Sequence, residues 1–76
     1  MNDIDRLRIA RNIQKLRRRH AYRQIDIAGM FYVDRSRYSL MENGKADISL
    51  DLLLDLARFY NVTIEDIVYT DDLDIK

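Results

Sequence analysis

The chain of 76 residues has no cysteine, one histidine and two glycines, and each shortage removes a class of function. Without thiols there is neither a disulfide framework nor a thiolate metal site. His20 stands alone beside Arg17, Arg18 and Arg19, so the usual nucleophile and base pairings cannot be assembled. A cationic imidazole in that setting suits the end of a helix rather than catalysis. With only Gly29 and Gly44, no glycine-rich loop is available to cradle a phosphate. No apolar run approaches the ~20 residues that a membrane-spanning helix needs, and no signal or lipidation motif is visible. These absences argue against an enzyme, a metal protein and a membrane protein. They imply no cofactor and make the cytoplasm the default location.

What is present is ordinary for a soluble globular chain, at 47% hydrophobic and 34% charged residues. The length predicts one small domain, 1–76, whose core is marginal unless it is helical and well packed or shared with a second copy. Net charge is zero, but it is not evenly laid out. Residues 1–45 carry eleven basic and five acidic residues, a surplus of +6, and residues 46–76 carry two basic and eight acidic, a deficit of −6. Such a dipole is expected where one face meets a polyanion and the other does not.

Periodicity divides the chain into five short helices without a strand signal. The first starts within residues 2–5, where Asn2, Asp3 and Asp5 can cap free amides, and runs to about His20. Ile9, Ile13 and Leu16 form its buried stripe, Arg11, Lys15, Arg18 and Arg19 its outer side. Ile4 and Leu7 add an apolar strip suited to packing on the C-terminal helix. A second helix runs from near Arg23 to Phe31 or Tyr32 with Ile27, Ala28 and Phe31 on one face, leaving Ile25 and Met30 off it. Arg23 is a poor cap, and Tyr32 occupies a joint where a left-handed residue, hence glycine, is the easier choice. Asp34 caps a third helix at about 35–42, which Asn43-Gly44 ends. Ser49 caps a fourth that runs to Asn61. Thr63 with Asp66 opens a fifth, and the tail 70–76 is acidic.

On the third helix Arg35, Ser36, Ser39 and Leu40 share the side away from Tyr38 and Met41. Arginine can donate two hydrogen bonds to guanine, serine can serve donor or acceptor edges, and leucine can pack on a thymine methyl. Ala28, small among larger residues, permits a close crossing of the second and third helices. Together with Ile13, Leu16, Arg17, Gln24, Ile27, Phe31, Val33, Asp34, the run Glu42-Asn43-Gly44-Lys45, and Ser49-Leu50, Leu53, Leu56, Ala57, Val62 and Ile67, this series resembles the helix-turn-helix domain of the Cro and phage-repressor type.

The resemblance implies an all-α, five-helix, lambda-repressor-like DNA-binding domain with its motif core at 24–43 and its third helix in the major groove. By family position the base readers are Arg35, Ser36 and Leu40, with Ser39 beside them and Arg37 on a flank. Gln24, Asn43 and Lys45 match positions that touch phosphates, and Arg23 joins them by location. Arg17 and Glu42 match a family ion pair that braces the first helix against the recognition helix. Arg23, Tyr32 and Ile48 depart from the family's small hydroxyl cap, turn glycine and proline.

The partner so implied is double-stranded DNA, read as a short palindrome by a homodimer with half-sites about 34 Å apart. Leu52, Phe59, Ile64, Val68, Tyr69, Leu73 and Ile75 offer surplus apolar surface for that dimer. The implied mechanism is occupancy that blocks RNA polymerase or touches it when bound alongside, regulated by the protein's own concentration or by a partner protein. The rival is a protein-interaction module on the same fold, an antitoxin or anti-repressor, favoured by Ile25, Met30 and the acidic tail.

Overall fold

The computed structural model describes residues 1–71. The first helix, α1, spans Asp3–Arg19. The Asn2 side chain accepts the Asp5 amide at 2.8 Å, acids lie in its first turn and three arginines in its last. Then come α2 (Gln24–Met30), α3 (Arg35–Glu42), α4 (Leu50–Tyr60) and α5 (Ile64–Tyr69), with no strand among the described residues. Three of these starts are capped as their sequence predicts. Asp34 accepts from the Arg37 amide and Ser49 from the Leu52 amide, while Thr63 and Asp66 exchange reciprocal bonds at 3.1 Å. At α2 the cap is inverted. A guanidinium has no acceptor, so Asp26 reaches back from the third helical position and accepts the Arg23 amide at 2.9 Å. The helix start is therefore fixed locally, which the poor capping residue alone did not suggest.

Four helices end in one motif. A left-handed residue closes each, one position past the cap after α1, α2 and α3 and at the cap itself after α4, and two backbone bonds close on the carbonyls of the last turn. The left-handed positions are Ala21 (φ 60°), Tyr32 (φ 57°), Gly44 (φ 73°) and Asn61 (φ 57°). After α2, for example, Val33 donates to the Ala28 carbonyl at 2.9 Å and Tyr32 to that of Gly29 at 3.4 Å. Gly44 and Asn61 are suited to the role, Ala21 and Tyr32 are not.

The core joins Ile9, Ile13 and Leu16 of α1 to Ile27, Ala28, Tyr38, Met41, Leu53, Leu56 and Ile67. The most extensive helix contact is that of α1 with α5. Two expectations fail here. Ile4 and Leu7 are not buried against α5, being 71% and 50% exposed. That contact belongs to Arg8, which bonds Asp71 and the Val68 carbonyl, and to Asn12, which donates to the carbonyls of Ile67 and Thr70 at 2.8 and 2.7 Å. Leu7 instead covers Gly44, so closely that a Cβ there would lie 2.5 Å from Leu7 Cδ2. Leu52 is also no surface residue. It points inward from α4 and is buried, because the helix turns its 52, 53, 56 stripe to the core. No described helix is long and apolar enough to cross a membrane.

Candidate nucleic-acid interface

The two faces of α3 are chemically opposite. Tyr38, Met41 and Glu42 are buried, Arg35, Ser36, Arg37 and Leu40 are exposed, and Ser39 is half-buried. Packing of the inner face therefore presents the expected readers outward in a fixed order. Gln24 at the start of α2 joins Arg35, Ser36 and Ser39 in lining an open cleft of about 300 Å³. This cleft brings one expected backbone contact beside three expected base readers. Leu40 and Arg37 lie on the same helix outside it. Among the described residues the side chains of Arg35, Arg37 and Lys45 make no hydrogen bond or ion pair.

Beneath the cleft lies the buried pair Arg17 and Glu42. The guanidinium is bidentate on the carboxylate, with Nε to Oε2 at 2.7 Å and Nη2 to Oε1 at 2.9 Å. Its remaining arm donates to the Tyr22 carbonyl at 2.8 Å, just ahead of α2. Glu42 Oε1 also accepts from Gln24 Nε2 at 3.2 Å. Burial opposes the charge on Glu42, but the hydrogen bonds outweigh it and hold the carboxyl below its ordinary range. The Tyr38 hydroxyl faces the same carboxylate without an aligned bond, and burial first, then Glu42, pushes its phenol well above the usual value. One carboxylate therefore touches all three helices of the motif region: α1 through Arg17, α2 through Gln24 and α3 by covalent attachment.

Around this centre the residues expected to touch phosphates differ in their engagement. Asn43 and Lys45 are exposed at the end of α3. Their loop is held by Leu7 over Gly44 and by Arg6, whose Nε reaches Asp47 at 2.8 Å. Sequence reasoning missed that clamp, because residues 41 apart give no local signal. Arg23 is exposed but already engaged, its guanidinium donating twice to the Asp26 carboxylate at 3.1 and 3.2 Å. Each partner stabilises the other's charge, so the Asp26 carboxyl titrates below its usual range.

The surplus apolar residues are divided. Ile64, Val68 and Tyr69 line a groove of about 450 Å³ with Leu50, Leu53 and Met1. Phe59 lies elsewhere, with ring centroids 5.4 Å from Tyr22 and 5.6 Å from Phe31. Leu73 and Ile75 fall outside the described residues, as does most of the acidic tail.

A short helix pair at a tight joint, with its second helix cationic and polar on the outside and apolar within, defines a helix-turn-helix DNA-binding domain. A family model described as Helix-turn-helix matches residues 13–67. The chain belongs to that family, of the Cro and phage-repressor type. An uncharacterised HTH-type transcriptional regulator of Methanocaldococcus jannaschii, MJ0272, is 43% identical over 54 residues, covering 70% of this chain and 82% of that protein. Antitoxin PezA of Streptococcus pneumoniae serotype 4 is 32% identical over 65 residues, 86% of this chain. The match spans only 41% of the antitoxin's length. No solved structure matches at comparable stringency. Family and relatives alike point to a regulatory rather than a catalytic protein.

Proposed function

We propose that the chain is a sequence-specific transcriptional regulator that reads a short palindromic operator through the outer face of α3. The observation that carries this is the grouping of Gln24, Arg35, Ser36 and Ser39 around one open cleft, with Arg35 uncommitted among the described residues. Arg35 and Ser36 would meet base edges at the N-terminal end of α3, with Leu40 packing one turn further along. Arg37 reaches a base or phosphate from the flank. Gln24, Asn43 and Lys45 hold the backbone, and Arg23 joins them on leaving Asp26. Arg17 and Glu42 keep the recognition helix at its angle.

One such domain makes few phosphate contacts, so two copies would be needed for a tight and specific complex. The groove between α4 and α5 is the surface for the second copy, with Leu50 and Tyr69 as its exposed walls at 62% and 73%. Occupancy of the operator would exclude RNA polymerase or place the protein beside it. Fluorescence anisotropy with random duplex DNA across a salt series tests the reading. A steep fall of affinity with salt supports it, since each neutralised phosphate releases counterions.

The antitoxin relative and the exposed Ile25 and Met30, at 50% and 44%, favour a second reading. In that case α2 would offer a protein-binding face. Failure to bind duplex DNA at low salt selects this alternative.

A further inference from the structure

We infer that Glu42 is a positioning residue for the DNA backbone contact, acting through Gln24; this rests on the DNA reading above. The Arg17 and Glu42 pair would brace α1 against α3 without any help from α2. Yet the carboxylate spends part of one oxygen on Gln24 Nε2 at 3.2 Å, a side chain that lines the reading cleft. The other three residues of that cleft have no side-chain hydrogen bond among the described residues. Gln24 is thus the one member of the cleft tied to the interior.

The chemistry of the tie suits a phosphate contact. A glutamine amide carries two N–H donors and one carbonyl acceptor. Committing one hydrogen to Glu42 fixes the plane of the amide and leaves the second hydrogen to donate to an anion. An untethered glutamine samples many rotamers, and ordering it on binding costs affinity. A carboxylate so near a phosphate would ordinarily repel it. Here Arg17 neutralises that charge with two bonds of 2.7 and 2.9 Å, so the oxygen can orient the amide without opposing the DNA. Arg17 also holds the Tyr22 carbonyl, two residues ahead of Gln24, which fixes the backbone from which the amide projects.

Two measurements test the role. In the free protein, side-chain amide relaxation by NMR should show Gln24 Nε2 ordered like the backbone. An amide as mobile as an exposed glutamine would overturn the proposal, whatever the protein does with DNA.

The second is a double-mutant cycle on affinity for random duplex at low salt. Gln24→Ala should weaken binding by about 5-fold in the natural background, the range of one net hydrogen bond. It should cost less than about 2-fold where Arg17→Met and Glu42→Leu replace the pair with apolar residues, an exchange that buried pairs often tolerate. Glu42→Asp, which keeps the charge but withdraws it from Gln24, should abolish most of the Gln24 effect as well. Equal losses in every background would overturn the positioning role. Absence of binding by the unaltered protein would instead refute the DNA reading, leaving the NMR result to decide the tether.

Discussion

Single residues carry the oddest features of this molecule, and Tyr32 is the foremost. It sits at the joint of the motif with a left-handed backbone and a side chain that is 97% exposed. Among the described residues its side chain makes no hydrogen bond or ring contact that would repay the strain, which for a residue with a Cβ is about 1–2 kcal/mol. Tyr32→Gly should therefore raise the unfolding free energy by about 1 kcal/mol in urea titration, allowing for glycine's greater unfolded-state entropy. A net loss of stability would mean that the tyrosine ring makes a contact of its own.

Glu42 sets a second expectation at this scale, in acid. Its carboxyl is held below the ordinary 4.5 in the fold, so the unfolded chain takes up its proton first as pH falls. Stability should be undiminished above about pH 4.5 and decline below it, continuing until the folded carboxyl itself protonates. In Arg17→Met with Glu42→Leu that part of the acid decline should disappear from a pH series of urea midpoints.

At the scale of elements, helices α3 and α4 were legible because their punctuation is local. Asp34 and Asn43-Gly44 bracket one, and Ser49 and Asn61 the other, and each device works within one turn. The outer face of α3 was legible for the same reason, since alternation of apolar and polar residues at helical spacing fixes what faces out. The start of α2 near Arg23 was legible too, but the device that fixes it was not, because its cap comes from Asp26 rather than from the residue in the capping position. The pairing of α1 with the C-terminal helix was expected, but the polar residues that join the two were hidden. Asn12 looks like a surface residue by type, yet it is 1% exposed and serves the carbonyl end of α5, a contact 55 residues away. The Arg6 clamp on Asp47 is equally non-local.

The pairing of Arg23 with Asp26 gives α2 a prediction of its own. Asp26→Asn keeps a carbonyl oxygen for the Arg23 amide but frees the guanidinium. Binding to random duplex should tighten by about 3-fold at low salt and its salt slope steepen by about one phosphate contact. Unchanged affinity would place Arg23 outside the backbone contacts.

For the whole molecule, the charge split read from the sequence falls between the helices, α1 to α3 being basic and α4 and α5 acidic and partly apolar, while Arg6 to Asp47 and Arg8 to Asp71 tie the two parts together. The sequence overcounted the apolar surplus at Leu52, which completes the core, whereas Phe59 stays 39% exposed while touching Tyr22 and Phe31 away from the groove. What remains is the groove walled by Leu50 and Tyr69. If it holds a second copy, the chain should sediment as a dimer at tens of micromolar without DNA. Leu50→Asp with Tyr69→Asp should convert it to a folded monomer, and a natural protein already monomeric there would remove the groove from the dimer.

The proposal that the outer face of α3 reads sequence meets its sharpest test in two alanine variants compared on two DNAs. Sites selected from a random oligonucleotide pool supply the specific duplex, and a scrambled duplex the reference. Arg35→Ala should lose about 1–3 kcal/mol on the selected site, concentrated at one base position, and little on the scrambled one. Lys45→Ala should weaken both alike and lower the salt slope by about one. Equal loss on both duplexes for the Arg35 variant would contradict base reading by α3.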